Sequence, residues 1–264
     1  MLSSSMNNLK ETKIRDRRLK LKVIACGVLA RELYHLAAVA RNIIDIQLLP
    51  QGLHNEPDKL RQRLQQRIDA VLEEGMDYDA ILLGYGLCSN GLAGITARNI
   101  PLIVPRGHDC ITILLGSKEA YKDYFDAHGG VYWYSPGWIE RSLPPGKERY
   151  ERTLQQYIES YGEDNALYLM ETENNWHKEY SLATYIDWEM PDSEEYKGYT
   201  RECAAYLGWG YDEFTGDEGL LQRLLNGDWN NDDFLTVPPE SMIVPNVNSP
   251  EIIACKLCNE EAKS

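Results

Sequence analysis

No stretch of this 264-residue chain approaches the ~20 apolar residues that a membrane-spanning helix needs. Positive charge is scarce as well. Against 41 Asp and Glu stand only 27 Lys and Arg, a net charge of −14. An acidic surface repels a nucleic-acid backbone, whose contacts need Lys or Arg, so nucleic-acid binding is excluded as the main role. The Gly-rich turn Gly84-Tyr-Gly-Leu-Cys-Ser-Asn-Gly91 is not followed by Gly-Lys-Ser/Thr and does not match GxGxxG, which leaves nucleotide binding weakly supported. Six cysteines are too few for a disulfide scaffold of this length, so reduced thiols are expected.

Residues 1–22 lack the apolar core of a secretion signal. They carry seven basic and two acidic side chains, a local excess of five positive charges that leaves the rest at −19. A polar, flexible leader is expected there, with a docking arm as the alternative. These features predict a cytoplasmic protein with no nucleic-acid or membrane partner.

What is present is enough apolar material, 43% of residues, for a sizeable core. Strand and helix patterns alternate. Strands are predicted over residues 21–26, 43–49, 80–83, 102–104 and 131–134. Helices are predicted over 29–41, 57–75 and 113–127, with another short one soon after Gly91. Short connections of this kind mean a parallel sheet covered on both faces. The fold class expected is α/β, a doubly wound, mostly parallel sheet of Rossmann or flavodoxin type with a second, smaller α/β segment. The expected organisation is a basic leader at 1–20, an α/β core at 21–143, the second segment at 144–244 and a loose tail at 245–264. The second segment either extends the first sheet or stands apart.

Open parallel sheets bind ligands outside the carboxyl ends of their strands. Past the first five strands come Cys26-Gly27, Gln51-Gly-Leu-His54, Gly84-Tyr-Gly-Leu-Cys88, Arg106-Gly-His-Asp-Cys110 and Tyr134-Ser-Pro-Gly-Trp138. With strand order 2-1-3-4-5, Cys26, Cys88 and Cys110 converge from adjacent strand ends ~4.8 Å apart. Three thiolates repel one another as bare anions, so a cation at their centre makes electrostatic sense. Thiolate with imidazole suits zinc, or a [4Fe-4S] cluster held by three cysteines with one iron open. His108 is expected as fourth ligand or acid–base group beside Asp109, and His54 as a further ligand. Arg106 is expected to orient a carboxylate or phosphate of a small substrate, with Tyr85, Tyr134 and Trp138 as walls. Glu32 reads as a partner to this site or a solvated charge. Cys203 reads as core, and Cys255-Lys-Leu-Cys258 as a metal or redox pair only if further ligands were near.

Joined to Ile24-Ala-Cys-Gly-Val-Leu, Leu115-Gly-Ser117 and Tyr132-Trp-Tyr, these pieces resemble a domain-of-unknown-function family of methanogenic archaea and anaerobic bacteria. The likeness spans about residues 20–245. Genes of that family often lie near corrinoid-dependent methyltransferases, which implies an anaerobic setting and one-carbon or methylamine-type metabolism. The function expected is a metal-dependent enzyme, a transferase or lyase. One alternative is a non-catalytic accessory that binds a corrinoid protein or methyltransferase. The other is a metal-free thiol enzyme using Cys110 with His108.

Overall fold

A computed structural model describes residues 17–73, 75–246 and 252–258. Most of the expected leader, and the tail at 247–251 and 259–264, lie outside the described residues.

Apolar runs build the first sheet from β1 (Lys20–Cys26), β2 (Ile43–Leu49), β3 (Ala80–Gly84) and β4 (Leu102–Pro105). Every residue of β3 and β4 is buried, as strands covered on both faces require. Helix α1 (Ala30–Val39) connects β1 to β2, and α2 (Pro57–Glu73) connects β2 to β3. Right-handed connections place these two helices on opposite faces. In α2 the buried residues Leu60, Leu64, Ile68 and Val71 form one stripe, and the polar remainder faces water.

The helix expected over 113–127 is two helices, α3 (Cys110–Leu115) and α4 (Lys118–Ala127). Gly116, at φ +82°, ends the first, and Ser117 caps the second by accepting the Ala120 N–H at 2.9 Å. Successive turns, not a helix, follow Gly91.

The chain then leaves the first sheet. β5 (Val131–Tyr134), expected beside β4, pairs parallel with β6 (Leu182–Asp187), which pairs parallel with β7 (Gly210–Thr215). Gly130 is the local cause. Its carbonyl accepts the Ser181 and Leu182 N–H groups, and at φ +70° a Cβ there would lie 2.6 Å from the Glu179 oxygen. Helices α5 (Pro136–Arg141), α6 (Lys147–Tyr161) and α7 (Glu163–Glu173) lie between β5 and β6. Helix α8 (Ser193–Leu207) precedes β7, and α9 (Gly219–Asn226) follows it.

β8 (Phe234–Val237) returns to the first sheet and lies antiparallel on β4. The order is therefore β2-β1-β3-β4-β8, with the second sheet β5-β6-β7 separate. Where a loose tail was expected, β9 (Ser241–Asn246) and β10 (Ile252–Leu257) form an antiparallel hairpin that buries Ile243 and Ile253. The architecture is mixed α/β with a mostly parallel central sheet. Among the described residues no helix is long and apolar enough to cross a membrane.

Helix α5 joins the two sheets. Ser135 caps it, and Gly137 then passes so near the segment after β1 that a Cβ would lie 1.8 Å from the Val28 carbonyl oxygen. No residue with a side chain fits this crossing.

Candidate functional site

β1, β3 and β4 are parallel, so their carboxyl ends share one edge, with Ala25 opposite Gly84 and Leu82 opposite Ile103. Two loops leave that edge and are laced together. The Leu87 N–H donates to Gly107 at 2.8 Å and the Cys88 N–H to His108 at 2.9 Å. Gly86 allows this approach, because a Cβ there would lie 2.5 Å from the Asp109 nitrogen. Cys88, Ser89 and Asn90 follow with φ of 45°, 56° and 65°. Three consecutive left-handed residues with side chains are strained backbone, of the kind that gathers at functional sites. Cys110 opens α3, whose cap is Asp109; its Oδ1 accepts the Thr112 N–H at 3.0 Å and the Thr112 hydroxyl at 3.2 Å.

Cys26, Cys88 and Cys110 are all buried and free. The Cys110 thiol meets both others. That contact with Cys110, then burial, pushes the Cys26 thiol far above its usual range. For Cys110 the Cys26 contact acts downward, but the Cys88 contact and complete burial outweigh it and leave the thiol well above its ordinary value. Both groups therefore hold their protons unless a cation displaces them. Tyr85 lies beside the three sulfurs. Burial, and then the Cys26, Cys110 and Cys88 groups, keep its phenol neutral, and its buried hydroxyl has no hydrogen-bond partner. Among the described residues no set of three or more His, Cys, Asp or Glu side chains is already arranged around a common metal position.

Cys88 and Cys110 lie in the wall of a half-open cavity of about 860 Å³. His54, His108, Asp109 and Trp138 line it too. His54 reaches it from beyond β2, its ring stacked on Trp138 at 5.9 Å. Burial lowers the His54 pKa, with the Asp109 charge acting weakly the other way. His108 is exposed at the rim.

Three residues predicted to bind substrate are not on this wall: Tyr85, buried beside the sulfurs, Arg106 and Tyr134. Arg106 is buried behind the edge, where Nε donates to the Asn231 carbonyl at 2.8 Å and an Nη donates to the Ile253 carbonyl. Tyr134 is in the core of the second sheet and donates to the Pro145 carbonyl at 2.8 Å. The guanidinium on the cavity wall is that of Arg149, from α6, and the aromatic wall includes Tyr121, Tyr132, Trp133, Trp176 and Tyr180. Sequence reasoning missed these because each aromatic, taken singly, reads as packing. Their density between residues 121 and 180 was the available signal.

Glu32 is neither at this site nor solvated: it is 1% exposed on α1, and its Oε2 has no partner. Cys203 is core, as expected. Cys255 lies in β10 and Cys258 just beyond it, so roughly 10 Å of extended chain separates their Cα atoms. That exceeds the reach of a disulfide, and the CxxC is no local pair.

A mostly parallel α/β protein with buried thiols under an aromatic cavity is the class these features define. The chain belongs to the family described as Protein of unknown function (DUF1638), whose model matches residues 48–225. The match takes in His54, Cys88, His108 and Cys110 but not Cys26. No curated protein and no solved structure matches the chain.

Proposed function

We propose that the chain is a metal-dependent enzyme whose metal, zinc or a [4Fe-4S] cluster, is held by Cys26, Cys88 and Cys110 at the floor of the aromatic cavity. The observation that carries this reading is the meeting of three buried thiols at Cys110 beside the unpartnered Tyr85 hydroxyl. Soft sulfur donors in a dry site fit a soft or borderline metal, which releases the protons that burial otherwise retains. Holding it requires Cys26 and Cys88 to close with Cys110 on one centre, and the strained 88–90 segment is the part of the edge with conformational energy to release. When bound, such a centre supplies Lewis acidity or an open coordination position.

The chain's own residues then surround it. His54, stacked on Trp138, and His108 at the rim serve as a further ligand or as proton carriers. The strand order β2-β1-β3-β4 supports the Rossmann or flavodoxin-like reading, in which ligands sit at this edge. The family resemblance supports an anaerobic one-carbon or methylamine-type metabolism, with a corrinoid protein or methyltransferase as partner. The metal-free thiol alternative loses ground, because buried thiols held above their ordinary pKa are poor nucleophiles near neutral pH.

The test is elemental analysis with an absorption spectrum on protein purified without oxygen. About one zinc per chain without colour supports a zinc site, and about four irons with a broad visible band supports the cluster. Cys88→Ser should lose the metal in either case, and Cys255→Ser should keep it. Natural protein free of both metals overturns the reading and favours the accessory role.

A further inference from the structure

We propose that the cavity receives a planar, fused-ring aromatic compound bearing an anionic group, carboxylate or phosphate, with Arg149 as the partner of the anion. This deepens the reading above, since it takes the same cavity as the functional site.

Size speaks first. About 860 Å³ is the volume of a pocket for a ligand of tens of atoms. A one-carbon substrate alone leaves most of that wall in water. The wall is lined by aromatic side chains: Tyr121, Tyr132, Trp133, Trp138, Trp176 and Tyr180. Tyr132 sits 6.0 Å from Trp176 and 5.3 Å from Tyr180, Tyr121 sits 6.2 Å from Trp133, and His54 stacks on Trp138. Flat faces of this kind favour a flat guest, whose rings stack offset or edge-on.

Hydrogen-bonding capacity then fixes the charge. Arg149 lies over the Trp176 face at 5.4 Å, and the carboxylate paired with it, Glu173, is 3.7 Å away. Glu173 already accepts the Tyr157 hydroxyl at 2.6 Å. Of the acceptors, Asp109 is engaged by Thr112 as a helix cap. Arg149 is thus the cation of this wall among the described residues, and a cationic guest would meet it unfavourably. Arginine presents a planar fork that suits carboxylate and phosphate alike.

The probes are 8-anilinonaphthalene-1-sulfonate and its uncharged twin 1-anilinonaphthalene, titrated into the full chain and read by energy transfer from tryptophan. The sulfonate probe should bind at one site per chain and more tightly than the twin. Arg149→Met should weaken the sulfonate probe about tenfold, the loss of one charged hydrogen bond, and leave the twin within about twofold. Arg149→Lys should retain most of the preference, and matching thermal unfolding of both variants shows that the fold is intact. Folate displaces the probe if the natural anion is a carboxylate, and flavin mononucleotide if it is a phosphate. Equal binding of probe and twin, no effect of Arg149→Met, or no displacement by either compound overturns the proposal. Repeating the titration on metal-free Cys88→Ser protein separates the two readings. Probe bound in natural protein that lacks metal fails only the metal site, and metal bound without probe fails only this ligand.

Discussion

The two sheets end in chemically opposite ways. At the carboxyl end of β6, Asp187 faces Lys197 at 2.7 Å, accepts the Ser193 hydroxyl at 3.0 Å and accepts the Glu189 N–H at 2.8 Å. Lys197 also reaches Glu213 at 3.1 Å and Glu194 at 3.2 Å. Every charge there is answered by the chain itself. At the carboxyl end of β1, β3 and β4 the polar groups include three thiols, of which Cys110 meets the other two, and a tyrosine hydroxyl without a partner. One edge has used its bonding capacity to hold the fold, and the other has kept capacity for something else. Rich polar chemistry at a strand end is therefore not the mark of a site; unanswered chemistry is.

The comparison is tested most severely at Gly86. Gly86→Ala puts a methyl 2.5 Å from the Asp109 backbone nitrogen, and backbone has to shift. A loss of about 4 kcal/mol in denaturant unfolding is expected, with the thiol edge disrupted. Gly129→Ala, with nothing within 4 Å, should stay within about 0.5 kcal/mol and serves as the control.

Next comes Lys197→Met, which leaves Asp187, whose side chain is 13% exposed, without its ion pair. That should cost about 3 kcal/mol while the reactivity of the three cysteines toward an alkylating reagent stays as before. If thiol reactivity changes as well, the edges are not independent.

The smallest effect has the opposite sign and lies at the seam. Burial, with the Glu140 charge adding to it, lifts Glu32 from 4.5 to about 7, against its own backbone and Arg31; Tyr185 also lies close by. The folded state thus binds a proton that the unfolded chain has released, so stability falls as pH rises from 4.5 to about 7. Glu32→Gln should match the natural protein below pH 4.5 and exceed it by about 2–3 kcal/mol above pH 7, as measured by thermal unfolding across pH.

The first four strands and the two long helices between them were legible because apolar runs and a 3.6-residue stripe leave few alternatives. The placement of Cys26, Cys88 and Cys110 at one sheet edge was legible too, since parallel strands of adjacent rank end at one edge. Pairing beyond β4 was not. Periodicity marks Val131–Tyr134 as a strand but says nothing of its partner, which Gly130 and the segment at Ser181 decide. Arg106 and Arg149 show the same limit. Both are arginines near a strand or helix end, and only the fold tells that Arg106 clamps backbone carbonyls while Arg149 faces the cavity. Tyr134 and Tyr132, two residues apart on one strand, pack on the same core cluster, and Tyr132 also reaches the cavity wall.

The antiparallel seating of β8 on β4 has a consequence for how the molecule is made. Val104 pairs with Leu235, so the whole second sheet is synthesised before the first receives its last strand. Until then β4 presents an open, wholly buried-type edge, the sort of strand that recruits neighbouring chains. The unit that starts first therefore finishes last.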